Sequence, residues 1–104
     1  MAAPGMWVVG PFQINQGQLN WFFLGGTSMA SPHVAGIAAL MAQKKPSLTA
    51  AQAEAILTGS AIPIPPGAAT VYDPITGGTE TTTWGADATG SGLTTANAAL
   101  AATP

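Results

Sequence analysis

The sequence predicts an α/β fold built round one modest core, and three observations carry that prediction. The apolar stretch from Val34 to Ala42, counting Gly36, has small polar residues before it and Lys44, Lys45 and Pro46 after it, which reads as a buried core helix. Two clusters of β-prone residues, Trp7 to Val9 and Trp21 to Leu24, precede it. Behind it, Thr49 and Gln52 stand at the spacing of a capping box and announce a second helix. A chain of 104 residues, 47% of them hydrophobic, has material for one such core and no more.

Taken in order, the first element is strand, loop, strand: the two β-prone clusters are separated by Gly, Pro, Asn and Gln. Gly25 and Gly26 then permit a tight reversal, and Thr27 and Ser28 are suited to cap the helix that follows through Met41 and Ala42. Lys44 and Lys45 are expected to complement the negative end of that helix dipole, and Pro46 stops it. The second helix starts from Thr49, with Leu48 placed to staple onto Ala53, and Gly59 ends it. The Pro-, Gly- and Thr-rich stretch from Ala61 to Gly90 is expected as a loop with a hairpin, "DPITGG" joining β-prone pieces around Val71 and Thr82. A Thr cap before the Ala-rich run near the end predicts a last short helix, with residues 103–104 as a tail.

Composition excludes several function classes. Two basic and four acidic side chains leave no basic footprint for nucleic acid and no polybasic patch for anionic lipid, so neither is expected as a partner. Without cysteine there is no disulfide framework and no thiolate metal site, and the redox compartment stays open. The apolar run falls far short of the roughly 20 residues of a membrane span. The opening "MAAPGMWVVGPF" lacks a positive leader followed by a long apolar region, so it does not read as a secretory signal.

The chemistry concentrates at Ser28. A serine hydroxyl becomes a useful nucleophile only with a base to take its proton and donors to stabilise the oxyanion. At a helix start the first backbone N–H groups lack intrahelical acceptors, so the Ser28 N–H can face a developing negative charge. Gly25 and Gly26 leave room for substrate backbone. Pro32 offers no N–H to the Ser28 carbonyl and should loosen the first turn. The competing reading is that Ser and Thr here merely cap. The wider string "GTSMASPHVAG" decides between them, because it resembles the serine motif of the subtilisin-like serine proteases, the subtilase family. Gly26, Thr27, Ser28, Ala30 and Pro32 each match that motif. "AAPG" at Ala2 to Gly5, "KKPSLTAAQ" and "GSGLTTANAA" look like further segments of the same family.

The resemblance implies the C-terminal portion of a subtilisin-like three-layer fold, incomplete, with a parallel-sheet core round a central buried helix headed by Ser28. Residues 1–102 would be the C-terminal part of the catalytic domain. The implied activity is that of a secreted, extracellular serine endopeptidase acting on polypeptide through an acyl-enzyme on Ser28. The Ser28 N–H would form half of the oxyanion hole, and Leu24 and Gly25 would flank the leaving-group side of the cleft.

The family orders its triad Asp, His, Ser, so the acid, the base and the oxyanion Asn would lie upstream of this chain, whose missing N-terminal part becomes the implied partner. The chain alone is therefore expected to be inactive. His33 does not substitute: five residues along a helix is roughly 140° round the axis and about 7.5 Å of rise. The resemblance gives it a structural role, as a buried or cleft-lining imidazole with one bonded nitrogen. Glu54, Asp73, Glu80 and Asp87 read as solvated charges, Asn15 and Asn20 receive no role, and Trp7, Trp21 and Trp84 read as apolar anchors. A lone His is poor ground for a metal. No cofactor is expected; calcium is compatible with a complete domain but has no identifiable site here. An apolar helix lacking its cover should leave exposed apolar surface. The alternative is a non-catalytic binding or structural module on the same scaffold.

Overall fold

The computed structural model describes residues 1–104, Ile14 excepted. Its elements run β1 (Val8–Asn15), β2 (Gln18–Leu24), α1 (Thr27–Lys44), α2 (Ala50–Gly59), β3 (Gly67–Tyr72), β4 (Thr79–Trp84) and α3 (Ala96–Ala102). Helices and strands are mixed along the chain, which is the α/β character the sequence predicts.

β1 and β2 form one antiparallel hairpin, with Val8 opposite Leu24 and Pro11 opposite Trp21. The expected loop between the two β-prone clusters is therefore mostly strand. Hairpin pairing is made by backbone groups and needs no apolar side chains at its distal end, and Pro11 is tolerated because a two-stranded ribbon is all edge. Gly17, at φ 81, turns the chain. Phe12 and Phe22 meet edge to face with centroids 6.4 Å apart. Trp21 is 69% exposed, so it does not anchor a core as expected.

α1 is capped by Gly26 at φ 141 and ψ 171, with no side-chain cap. Thr27 and Ser28 lie inside the first turn instead of capping it, because the glycine's backbone closes the turn alone: the Gly26 carbonyl accepts from Met29 N–H at 3.0 Å and Ala30 N–H at 3.4 Å. Ile37 and Met41 are its buried residues. They join Leu57 and Ala99 in the core, against which Val34, Leu48, Ala53, Ile56, Ala96 and Leu100 pack. The core thus lies between three helices and covers one stripe of α1. Ala35, Gly36, Ala39, Leu40 and Ala42 remain exposed, the apolar surface that all-round apolarity foretells.

α2 starts with both halves of the capping box: Thr49 Oγ1 accepts from Gln52 N–H at 3.3 Å, and Thr49 N–H donates to Gln52 Oε1 at 3.0 Å. Thr95 caps α3, accepting from Ala98 N–H at 3.3 Å. Lys44 stands in the last turn of α1, as expected, and also serves a second helix. Its Nζ donates to the carbonyls of Leu100 at 2.8 Å and Thr103 at 2.6 Å, so the cation satisfies the C-terminus of α3, which packs across α1. Thr103, expected to begin a tail, is the C-cap of α3 and 1% exposed.

β3 and β4 make the predicted second hairpin, in unbroken register from Gly67 opposite Trp84 to Tyr72 opposite Thr79. Asp73 organises its turn, its carboxylate accepting from Ile75 N–H at 2.8 Å and the Thr76 hydroxyl at 2.6 Å. Distant segments meet at Leu93, which bridges Ala2 in parallel and Ile62 in antiparallel. Ala2 N–H donates to Gly92 O at 2.7 Å and Thr94 N–H to Ala2 O at 2.9 Å. The "AAPG" and "GSGL" segments are thereby joined. No described helix is long and apolar enough to cross a membrane.

Candidate functional site around Ser28

Ser28 occupies the second position of α1 and is exposed. Among the described residues, neither its hydroxyl nor its N–H has a hydrogen-bond partner. The hydroxyl is thus not consumed in capping, and the N–H points out of the positive end of the helix, where it can meet an anion.

The residues around it explain the motif physically. Gly26 N–H donates to Gly5 O at 2.6 Å, tying the N-terminal segment to the serine loop. A Cβ on Gly5 would stand 2.8 Å from Gly26 O and 3.1 Å from the Ala30 Cβ. Position 5 must therefore be glycine and position 30 small for these backbones to approach. Gly26 must be glycine because φ 141 with ψ 171 is closed to side chains. Leu24 ends β2 half-buried and Gly25 follows it exposed.

Ser28, Met29, Pro32 and His33 line one hollow with Val8, about 270 Å³ in volume. His33 is exposed there, not buried, and its Nδ1 lies 2.8 Å from Met29 O. The Nδ1–H tautomer donates to that carbonyl, which turns the ring back along its own helix. No hydrogen bond joins His33 to Ser28 among the described residues, in keeping with the helical geometry that separates them. It is a cleft-lining imidazole with one bonded nitrogen.

A second hollow of about 410 Å³ lies on the other side of the serine loop, lined by Gly5, Met6, Trp7, Gly25, Gly26 and Glu80. Glu80 belongs to β4, so the second hairpin reaches back to the segment preceding Ser28. Its exposure agrees with the solvated charge the sequence predicts, while no local signal places it beside this hollow, whose lining residues are far apart in the chain. Trp7 sits at φ 51, the left-handed region that side chains rarely adopt, and its indole Nε1 is buried without a partner among the described residues. Trp84 is anchored, donating from Nε1 to Pro65 O at 2.8 Å.

The remaining acids lie elsewhere. Glu54 is on α2, and Asp73 sits in its turn, where first the Thr76 hydroxyl and then the Ile75 N–H hold its carboxyl below the ordinary 3.8. Asn15 bonds Gln18 at 3.2 Å within the first hairpin. Among the described residues no group of three His, Cys, Asp or Glu side chains is placed to hold a metal ion. What the site can do chemically is offer a free hydroxyl beside a free N–H at a helix tip.

Comparison with known proteins gives this geometry its context. The model of the subtilase family matches residues 7–99. Subtilisin DY of Bacillus licheniformis is 46% identical over 59 residues, covering 57% of this chain and 20% of that protein. Subtilisin-like protease 1 of Plasmodium vivax is 40% identical over 65 residues, covering 62% of this chain and 10% of that protein. The chain therefore spans only a small part of the length of either relative.

Proposed function

Because the chain belongs to the subtilase family, we propose that it carries the nucleophilic serine of a serine endopeptidase, with Ser28 Oγ as the attacking atom. The observation that carries this reading is the state of Ser28: exposed at the head of α1, with both its hydroxyl and its N–H without partners among the described residues.

In the reaction, Oγ attacks a peptide carbonyl carbon while a histidine from the family's preceding segment takes the hydroxyl proton. The carbonyl oxygen gains the negative charge, and the Ser28 N–H donates to it. Collapse expels the amine, which receives the proton, and leaves an ester on Ser28. Water then attacks the ester by the same route and frees the acid. The route requires no cofactor. Leu24 and Gly25, just ahead of the serine, flank the departing amine. His33 stays out of the proton path because five residues of helix turn it away from Ser28 and no hydrogen bond joins the two among the described residues. The substrate is polypeptide, the site of action extracellular, and the chain without the Asp- and His-bearing segment is inactive.

The test is fluorophosphonate labelling, read by intact mass and peptide mapping, in a polypeptide that carries the family's Asp and His segments ahead of residue 1. Label on Ser28, absent from Ser28→Ala, is the expected result. Equal labelling of both proteins would refute the assignment.

A further inference from the structure

The 410 Å³ hollow beside the serine loop is lined by one charged side chain, Glu80. In an antiparallel hairpin, residues directly opposite share a face. Glu80 pairs with Val71, so it lies with Val71 and Trp84, both half-buried, while Thr81 and Thr70 on the other face bond each other at 2.8 Å. Glu80 itself is exposed, so its carboxylate lines the hollow from the solvent side while Met6 and Trp7 form its wall.

Among the described residues no lysine or arginine answers it. Lysine and arginine total two, Lys44 and Lys45. Both stand at the far end of α1, and Lys44 is committed to the carbonyls of Leu100 and Thr103. The rest of the hollow is apolar wall, Met6 and Trp7, and bare glycine backbone at Gly5, Gly25 and Gly26. An apolar channel with a carboxylate and no internal counter-charge suits a side chain with a hydrocarbon stem and a cationic head.

From this placement we infer that the hollow receives a lysine or arginine side chain of the polypeptide substrate, with Glu80 as its counter-charge and Met6 and Trp7 along its stem. The inference rests on the reading of Ser28 above, since Gly25 and Gly26 lead directly into that residue. Glu80 is a specificity residue: it touches the substrate but none of the reacting atoms.

The test is titration of the chain with Nα-acetyl-lysine methylamide and its arginine counterpart, followed at the Trp7 indole N–H resonance, which Trp7→Phe identifies. Nα-acetyl-norleucine methylamide, the same stem without the charge, is the control. The cationic probes should bind about three- to tenfold more tightly than the neutral one, the range of a charged pair at an open site. Glu80→Gln should erase that preference, and raised salt should weaken it. Equal binding of the lysine and norleucine probes, or a preference that survives Glu80→Gln, would overturn the proposal. Ser28→Ala should titrate like the parent chain, so failure of this experiment and failure of the labelling experiment are separate results.

Discussion

Replacing Gly26 with alanine tests whether the serine is held by backbone geometry. Gly26 caps α1 at φ 141 and ψ 171, in a region essentially reserved for glycine, where a side chain costs of order 1–3 kcal/mol. Sterics with neighbours add nothing, since the nearest atom to a Cβ there is the Ser28 nitrogen at 4.0 Å. The whole penalty is therefore conformational. Gly36→Ala is the matched control: it lies within α1 with nothing within 4 Å of its Cβ, so the same change should stabilise by about 0.5–1 kcal/mol through helix propensity. Urea unfolding followed by helix circular dichroism reads both, and the two substitutions should move the midpoint in opposite directions at unchanged slope. Thermal midpoints should separate by roughly 4–8 °C per kcal/mol for a chain of this size. If Gly26→Ala proved neutral while Gly36→Ala stabilised, the serine loop would not have the conformation described, and the account of Ser28's free N–H would fall with it.

Two further outcomes follow from the same contacts. Lys44→Met should lower stability by about 1–2 kcal/mol, because it keeps the stem while removing the two charge-assisted bonds to Leu100 O and Thr103 O; amide exchange of α3 should accelerate more than that of α2, and equal protection of both would refute the tether. The Asp73 carboxyl is held below 3.8 by the Thr76 hydroxyl and then the Ile75 N–H, so its contribution is present above the unfolded value near pH 4 and is lost as pH falls through the lower folded value. Thermal unfolding should accordingly show a gap between the parent chain and Asp73→Ala at about pH 6 that closes towards about pH 2, and a gap independent of pH would refute it.

What was legible in the sequence is what neighbours in the chain decide. Thr49 with Gln52, Thr95 before the Ala-rich run, and Asp73 to Gly78 between two β-prone pieces all produced their expected elements, since capping boxes and Asx turns close within three or four residues. The serine motif was legible for a similar reason, although its glycine proved to be the cap and its hydroxyls did not. Long-range partners were not legible. Lys44 lies 56 positions from the carbonyl of Leu100 that it bonds, and nothing near residue 80 says that its strand folds back on Gly25. The length of the first hairpin was also hidden, because backbone pairing carried it where side-chain pattern was silent.

The helix behind Ser28 ties fold to chemistry. Its buried stripe, Ile37 and Met41 with Val34, docks on α2 and α3, yet Leu40 stays 43% exposed and Ala35, Ala39 and Ala42 lie bare beside it. A helix meant to face water on that side would carry charges there, and α1 has none before Lys44. Its apolar outer face is the pattern of a helix enclosed on every side, with only its N-terminal tip left accessible. Enclosure would strengthen the field at that tip, since low dielectric around a helix raises the influence of its end groups on an approaching charge. The Gly5–Gly26 bond and the tight Gly5–Ala30 approach hold the tip's shape with contacts wholly inside the chain. Preorganisation of Ser28 is therefore local, whereas the electrostatic gain at its N–H depends on what covers the rest of α1.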